Sequence, residues 1–145
     1  MPRIPFYTNF AKWTKWGEKL IQLHTEYETV KPCKQIEIKE FDKLENPKTK
    51  LKINKTDNEI VIDENTSLLN IPSIIYDYKL GNRSAVEWIL YQYKEKNPDH
   101  ETIKEKFNNY KFADYKLHVI DLILKVSTVS IETIKIINEM CKETN

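Results

Sequence analysis

The chain has 145 residues, of which 40% are hydrophobic and 31% charged, with a net charge of +1 and only two glycines. Such a length buries roughly two thirds of the unfolded surface in one domain without a metal or disulfide staple, and the composition is too apolar for wholesale disorder. So few glycines leave no material for a phosphate-cradling loop, and a charge near zero sets the chain apart from free-standing duplex binders with a strong basic excess.

In chain order, Phe10, Trp13, Gly17, Leu20, Ile21, Leu23, His24 and Tyr27 recur at three- and four-residue spacing. This predicts a helix over about 8–28 with that stripe in the core and Thr8 or Asn9 as cap. After Pro32 the period changes to two. Ile36 and Ile38 alternate with Glu37 and Lys39, and Leu51 and Ile53 with Lys50 and Lys52, as in half-buried strands. Asn46-Pro47 marks a loop, and Thr56-Asp57-Asn58 a hairpin turn into a strand over 59–63. Charge is uneven here. Residues 30–55 carry Lys31, Lys34, Lys39, Lys43, Lys48, Lys50, Lys52 and Lys55 against Glu37, Glu40, Asp42 and Glu45, whereas the charges of 56–64 are all acidic. A charge run of this kind commonly serves as a solvated face.

From Pro72 the signals are helical. Pro72 suits a first helical position, and Gly81 a left-handed helix end. Ser84 and Glu87 have capping-box spacing for a helix to about Lys94 that buries Val86 or Trp88 with Ile89 and Tyr93. Asp99 and Asp114 are expected to cap two further helices, with apolar faces Ile103, Phe107, Tyr110 and then Val119, Leu122, Ile123, Val126. Ser130 is expected to cap a last helix burying Ile134, Ile137 and Cys141. The expected fold class is α+β in one domain over 1–145: an N-terminal helix (1–30), a small antiparallel β-hairpin or sheet region (31–70) and a C-terminal helical cluster (71–145).

Catalytic patterns are sparse. Asn46-Pro47-Lys48 and Asn97-Pro98-Asp99 lack the second proline and aromatic ring of a base-flipping adenine methyltransferase pocket. Glu37-Ile38-Lys39 has the Glu-x-Lys spacing of a magnesium nuclease, but no acid-bearing strand precedes it. His24, His100 and His118 are scattered without zinc-ligand spacing, so no metal or other cofactor is expected. Cys33 and Cys141 read as reduced thiols, and with neither secretion signal nor apolar span the expected location is the cytoplasm, with no membrane partner.

Three blocks carry a family resemblance. They are Gly81-Asn82-Arg83-Ser84-Ala85-Val86-Glu87-Trp88-Ile89-Leu90, the run 115–125, and Val126-Ser127-Thr128-Val129-Ser130-Ile131-Glu132-Thr133-Ile134-Lys135-Ile136-Ile137. Together with Arg3-Ile4-Pro5-Phe6 and residues 13–27, they resemble the C-terminal specificity region of type ISP restriction-modification enzymes. That resemblance implies a DNA target-recognition fragment, not an enzyme by itself, whose phosphate contacts position the protein and whose base contacts discriminate. Lys48, Lys50, Lys52 and Lys55 are the candidate DNA-binding residues. The implied partners are duplex DNA, bound weakly by the chain alone, and the methyltransferase and upstream recognition segment of such a system, with self-association through the first helix. Two alternatives stay open: a protein-interaction module that docks on those subunits without touching DNA, and a small independent nuclease.

Overall fold

The computed structural model describes residues 9–41, 45, 47–94 and 114–144. Its elements are helix α1 (Phe10–Thr25), strands β1 (Glu37–Glu40), β2 (Thr49–Asn54), β3 (Glu59–Asp63) and β4 (Thr66–Leu69), a 3-10 helix (Ser73–Asp77), short strands β5 (Lys79–Leu80) and β6 (Arg83–Ser84), α2 (Ala85–Tyr93) and α3 (Lys116–Thr144). The α+β class is as expected. The anticipated Asp99-capped helix lies outside the described residues.

The main sheet is antiparallel with strand order β1-β4-β3-β2. Its β2–β3 hairpin turns where Thr56-Asp57-Asn58 predicts, with Asn58 at φ 52°, a left-handed conformation that asparagine tolerates. Strand β4 is not anticipated by alternation, since Thr66-Ser67-Leu68-Leu69 is half polar, yet it lies between β1 and β3 and its first three residues are buried. The Asp63 carboxylate makes it possible. One oxygen accepts from the amides of Asn65 (2.8 Å) and Thr66 (2.9 Å), closing the β3–β4 turn, and the other meets Lys116 Nζ at 2.9 Å. Asp63 is thus a buried charge whose turn and ion-pair partners offset its desolvation.

The core lies between this sheet, α2 and the first half of α3. Ile60, Ile62, Leu68, Ile75, Val86, Val119 and Ile123 are wholly buried. Of the two expected alternatives in α2, Val86 is the buried one and Trp88 is exposed. The Ser84–Glu87 capping box forms as its spacing dictates: Glu87 N–H donates to Ser84 Oγ (3.3 Å) and Ser84 N–H to Glu87 Oε2 (2.7 Å).

Four expectations are corrected. Ser130 caps no helix, because α3 runs unbroken through it for 29 residues; Ser127 and Ser130 are buried and donate back to Ile123 O (2.7 Å) and Val126 O (2.8 Å) four residues earlier. A hydroxyl satisfied on its own helix needs no break in the chain. Consequently Ile137 and Cys141, expected to be buried, lie on an exposed stretch of α3. Gly81 ends no helix either: its φ of 75° serves the tight turn between β5 and β6, while the helix after Pro72 is a 3-10 segment ending at Asp77. Asn9 makes no side-chain cap, and the packed face of α1 is narrower than the expected stripe: Trp13, Gly17, Leu20 and Leu23 are half-buried as predicted, beside Trp16. Its single buried residue is Trp16, whose indole N–H donates to Glu139 Oε2 at 3.1 Å near the far end of α3, beside a Lys12–Glu143 ion pair. Phe10 and Ile21 from the predicted stripe are 74% and 65% exposed.

Candidate nucleic-acid interface

Strand β2 is an edge of the sheet, and two of the candidate lysines lie on it. Lys48 is exposed just before the strand, and Lys50 and Lys52 are exposed on either side of buried Leu51. Leu51 itself has φ 44° within a bulge between Thr49 and Lys52, an irregularity that discourages a further strand from pairing there. Lys55 is differently placed. Its Nζ meets Glu87 Oε1 at 3.3 Å and lies 5.0 Å from the centre of the Tyr76 ring, so the hairpin turn is tied to the start of α2.

These contacts set the local electrostatics. Partial burial pushes the Glu87 carboxyl up, but the Ser84 N–H and Lys55 outweigh it and hold the group below the ordinary carboxylate value. Burial, with Glu87 nearby, pushes the Tyr76 phenol up to about 12, and its hydroxyl is buried without a hydrogen-bond partner.

Between β2 and α2 opens a cleft of about 390 Å³, lined by Leu51, Ile53, Asn82, Arg83, Glu87, Leu90, Tyr91 and Lys94. Arg83 dominates its rim. The guanidinium carbon lies 4.2 Å from the Tyr91 ring centre and 5.0 Å from that of Trp88, and the two rings meet edge-on at 5.9 Å. Trp88 is fixed in turn by its indole N–H, which donates to Leu80 O at 2.7 Å. Sequence reasoning missed this constellation. Its signal was an arginine just before the N-cap followed by aromatics three residues apart on one helical face.

The Glu37-x-Lys39 pair gains no support as a nuclease site. Glu37 and Lys39 are exposed on edge strand β1, opposite Leu69 and Ser67, neither of them a carboxylate. Among the described residues no three His, Cys, Asp or Glu side chains gather as metal ligands. His24 Nδ1 meets Leu20 O at 2.7 Å and its Nε2 meets the Tyr78 hydroxyl at 2.5 Å; His118 is exposed, and His100 lies outside the described residues. No described helix is long and apolar enough to cross a membrane.

The candidate site is thus an edge strand bearing cations beside an arginine mounted on aromatic rings. The chain belongs to the Type ISP C-terminal specificity domain family, a non-catalytic specificity module, which residues 1–122 match. Solved structures agree. The chain resembles part of DrdV in a cryo-EM DrdV–DNA complex, with TM-score 0.84 and 42% identity over 95% of this chain and 15% of that one. It also resembles part of a nuclease-deletion mutant of the type ISP restriction-modification enzyme LlaGI in complex with a DNA substrate mimic, with TM-score 0.74 and 32% identity over 96% and 13% of the two chains. The ATP-dependent type ISP enzyme LlaBIII bound to DNA matches with TM-score 0.75 and 31% identity over 96% and 9%. The chain therefore spans no more than 15% of the length of these three proteins. A comparison with curated protein sequences gave no match.

Proposed function

We propose that this chain recognises a DNA target as the specificity module of a type ISP-like restriction-modification system, and that it performs no catalysis by itself. The observation that carries the reading is the 42% identity across 95% of the chain to a protein solved in complex with DNA. The β2 edge supplies the chemistry: Lys48, Lys50 and Lys52 offer cations to phosphates, and Lys55 adds its charge from the turn. With a net charge of +1, the chain alone binds duplex weakly, and the reading of bases requires the methyltransferase and upstream recognition segment. These partners place its action in the cytoplasm.

Binding to labelled duplex over a range of salt tests the assignment. Replacing Lys48, Lys50 and Lys52 together by alanine is expected to weaken binding and to lower the logarithmic salt slope by about 0.9 for each lost phosphate contact. Unchanged affinity and slope would remove the β2 edge from the interface. A second reading, a module that docks on protein subunits only, draws on the exposed Phe10 and Ile21 of α1. It would prevail if the chain bound the upstream segment and their complex ignored DNA.

A further inference from the structure

We propose that Arg83 is a DNA phosphate-binding residue, held ready on Trp88 and Tyr91. The inference deepens the DNA-recognition reading and rests on it. Its first support is charge. Lys55 is paired with Glu87 and Lys116 with Asp63, whereas Arg83 has no carboxylate partner among the described residues. Glu87 lines the same cleft, but its two oxygens are already engaged by Lys55 and by the Ser84 N–H.

The second support is geometry. Aromatic rings 4.2 Å and 5.0 Å away hold the guanidinium by its π-system and leave the N–H groups at its edge available. That edge is the part that grips a phosphate bidentately. Because Trp88 is itself anchored to Leu80 O, the arginine is ordered before any ligand arrives, so binding sacrifices little side-chain freedom.

The third support is position. The cleft that Arg83 rims is walled on its other side by Leu51 and Ile53 of β2, the strand that presents Lys50 and Lys52. Lys94, at the end of α2, lines the cleft as well and adds a second cation to Arg83 on that wall. The preceding Gly81 faces open space, with no atom within 4 Å of where a Cβ would be, and a phosphate backbone can approach the turn closely.

The test is fluorescence anisotropy of the full 145-residue chain on two labelled duplexes of unrelated sequence, titrated across salt concentrations. Arg83→Ala is expected to bind both duplexes about tenfold more weakly and to lose about 0.9 from the salt slope. Arg83→Gln keeps the stem against the rings and should show the same losses, which serves if the alanine variant melts early. Arg83→Lys should keep the slope and only part of the affinity. Tyr91→Leu removes one ring but no charge, so it should weaken binding at constant slope. If wild type binds duplex and Arg83→Gln binds equally well, the Arg83 assignment alone fails. If wild type shows no duplex affinity even at low salt, the DNA-recognition reading falls and takes this inference with it. A loss confined to one duplex would make Arg83 a reader of bases and overturn the phosphate assignment.

Discussion

Helices α1 and α3 both carry apolar residues at three- and four-residue spacing, yet they meet opposite fates. The first half of α3 buries Val119, Ile120 and Ile123 against the sheet and α2, whereas the 16 residues of α1 bury only Trp16 and leave Phe10 and Ile21 in solvent. Amphipathic spacing marks which side of a helix can be covered. Whether it is covered depends on what stands opposite, and among the described residues α1 meets the second half of α3 and, through His24, Tyr78. An apolar surface of this kind commonly marks an interface, in keeping with the proposed docking of an upstream segment or a second copy.

The sharpest way to break this contrast is a pair of truncations measured by urea denaturation. Ile123→Ala should destabilise the fold by about 3 kcal/mol, through lost burial and the cavity it leaves. Ile21→Ala should change it by less than about 0.5 kcal/mol. Comparable losses at the two sites would mean that the α1 face is covered in solution. Ser84→Ala then probes the boundary between core and cleft: loss of the helix cap should cost about 1 kcal/mol while duplex affinity stays unchanged. Lost binding at unchanged Tm would instead make the serine a contact residue.

The smallest effect is expected at Tyr76→Phe. Removing a buried hydroxyl that lacks a partner should leave neutral-pH stability equal or raise it by up to about 1 kcal/mol, with the ring still in place beneath Lys55. The sign of the pH effect follows from a folded pKa of about 12 above an ordinary 10.0. The stability that this neutral phenol carries is fully present below pH 10 and is lost as pH rises through about 12. The alkaline decline should therefore be shallower in the phenylalanine variant. Identical alkaline limbs would show that the phenol already ionises at its ordinary value.

What the sequence disclosed was local. The Ser84–Glu87 box and the turn at Asn58 involve partners a few residues apart, so spacing alone defined them. The missed features, the mid-helix place of Ser130 apart, depend on distant partners. Strand β4 needs Asp63, itself steadied by Lys116, and the mid-helix place of Ser130 follows from a hydroxyl bond to Val126 O that is as short-ranged as a cap and competes with it. The burial of Trp16 on α1 draws on Glu139, over a hundred residues away. At the proposed interface, Lys50 and Lys52 were visible as alternating charges on one strand, but Lys55 was not separable from the other candidate lysines, because Glu87 comes to it only through the fold. Arg83 was legible only as part of a family-like block; its aromatic mount required the β5–β6 turn to bring it over α2.

The same α1–α3 contact also orders events during synthesis. The Trp16–Glu139 bond and the Lys12–Glu143 pair join residues 123 and 131 positions apart, so neither contact can form until the last turns of α3 leave the ribosome. At about 5–20 residues per second that interval is on the order of ten seconds. Throughout it Trp16, the one residue that α1 buries, stands without the carboxylate that its indole N–H meets in the folded chain.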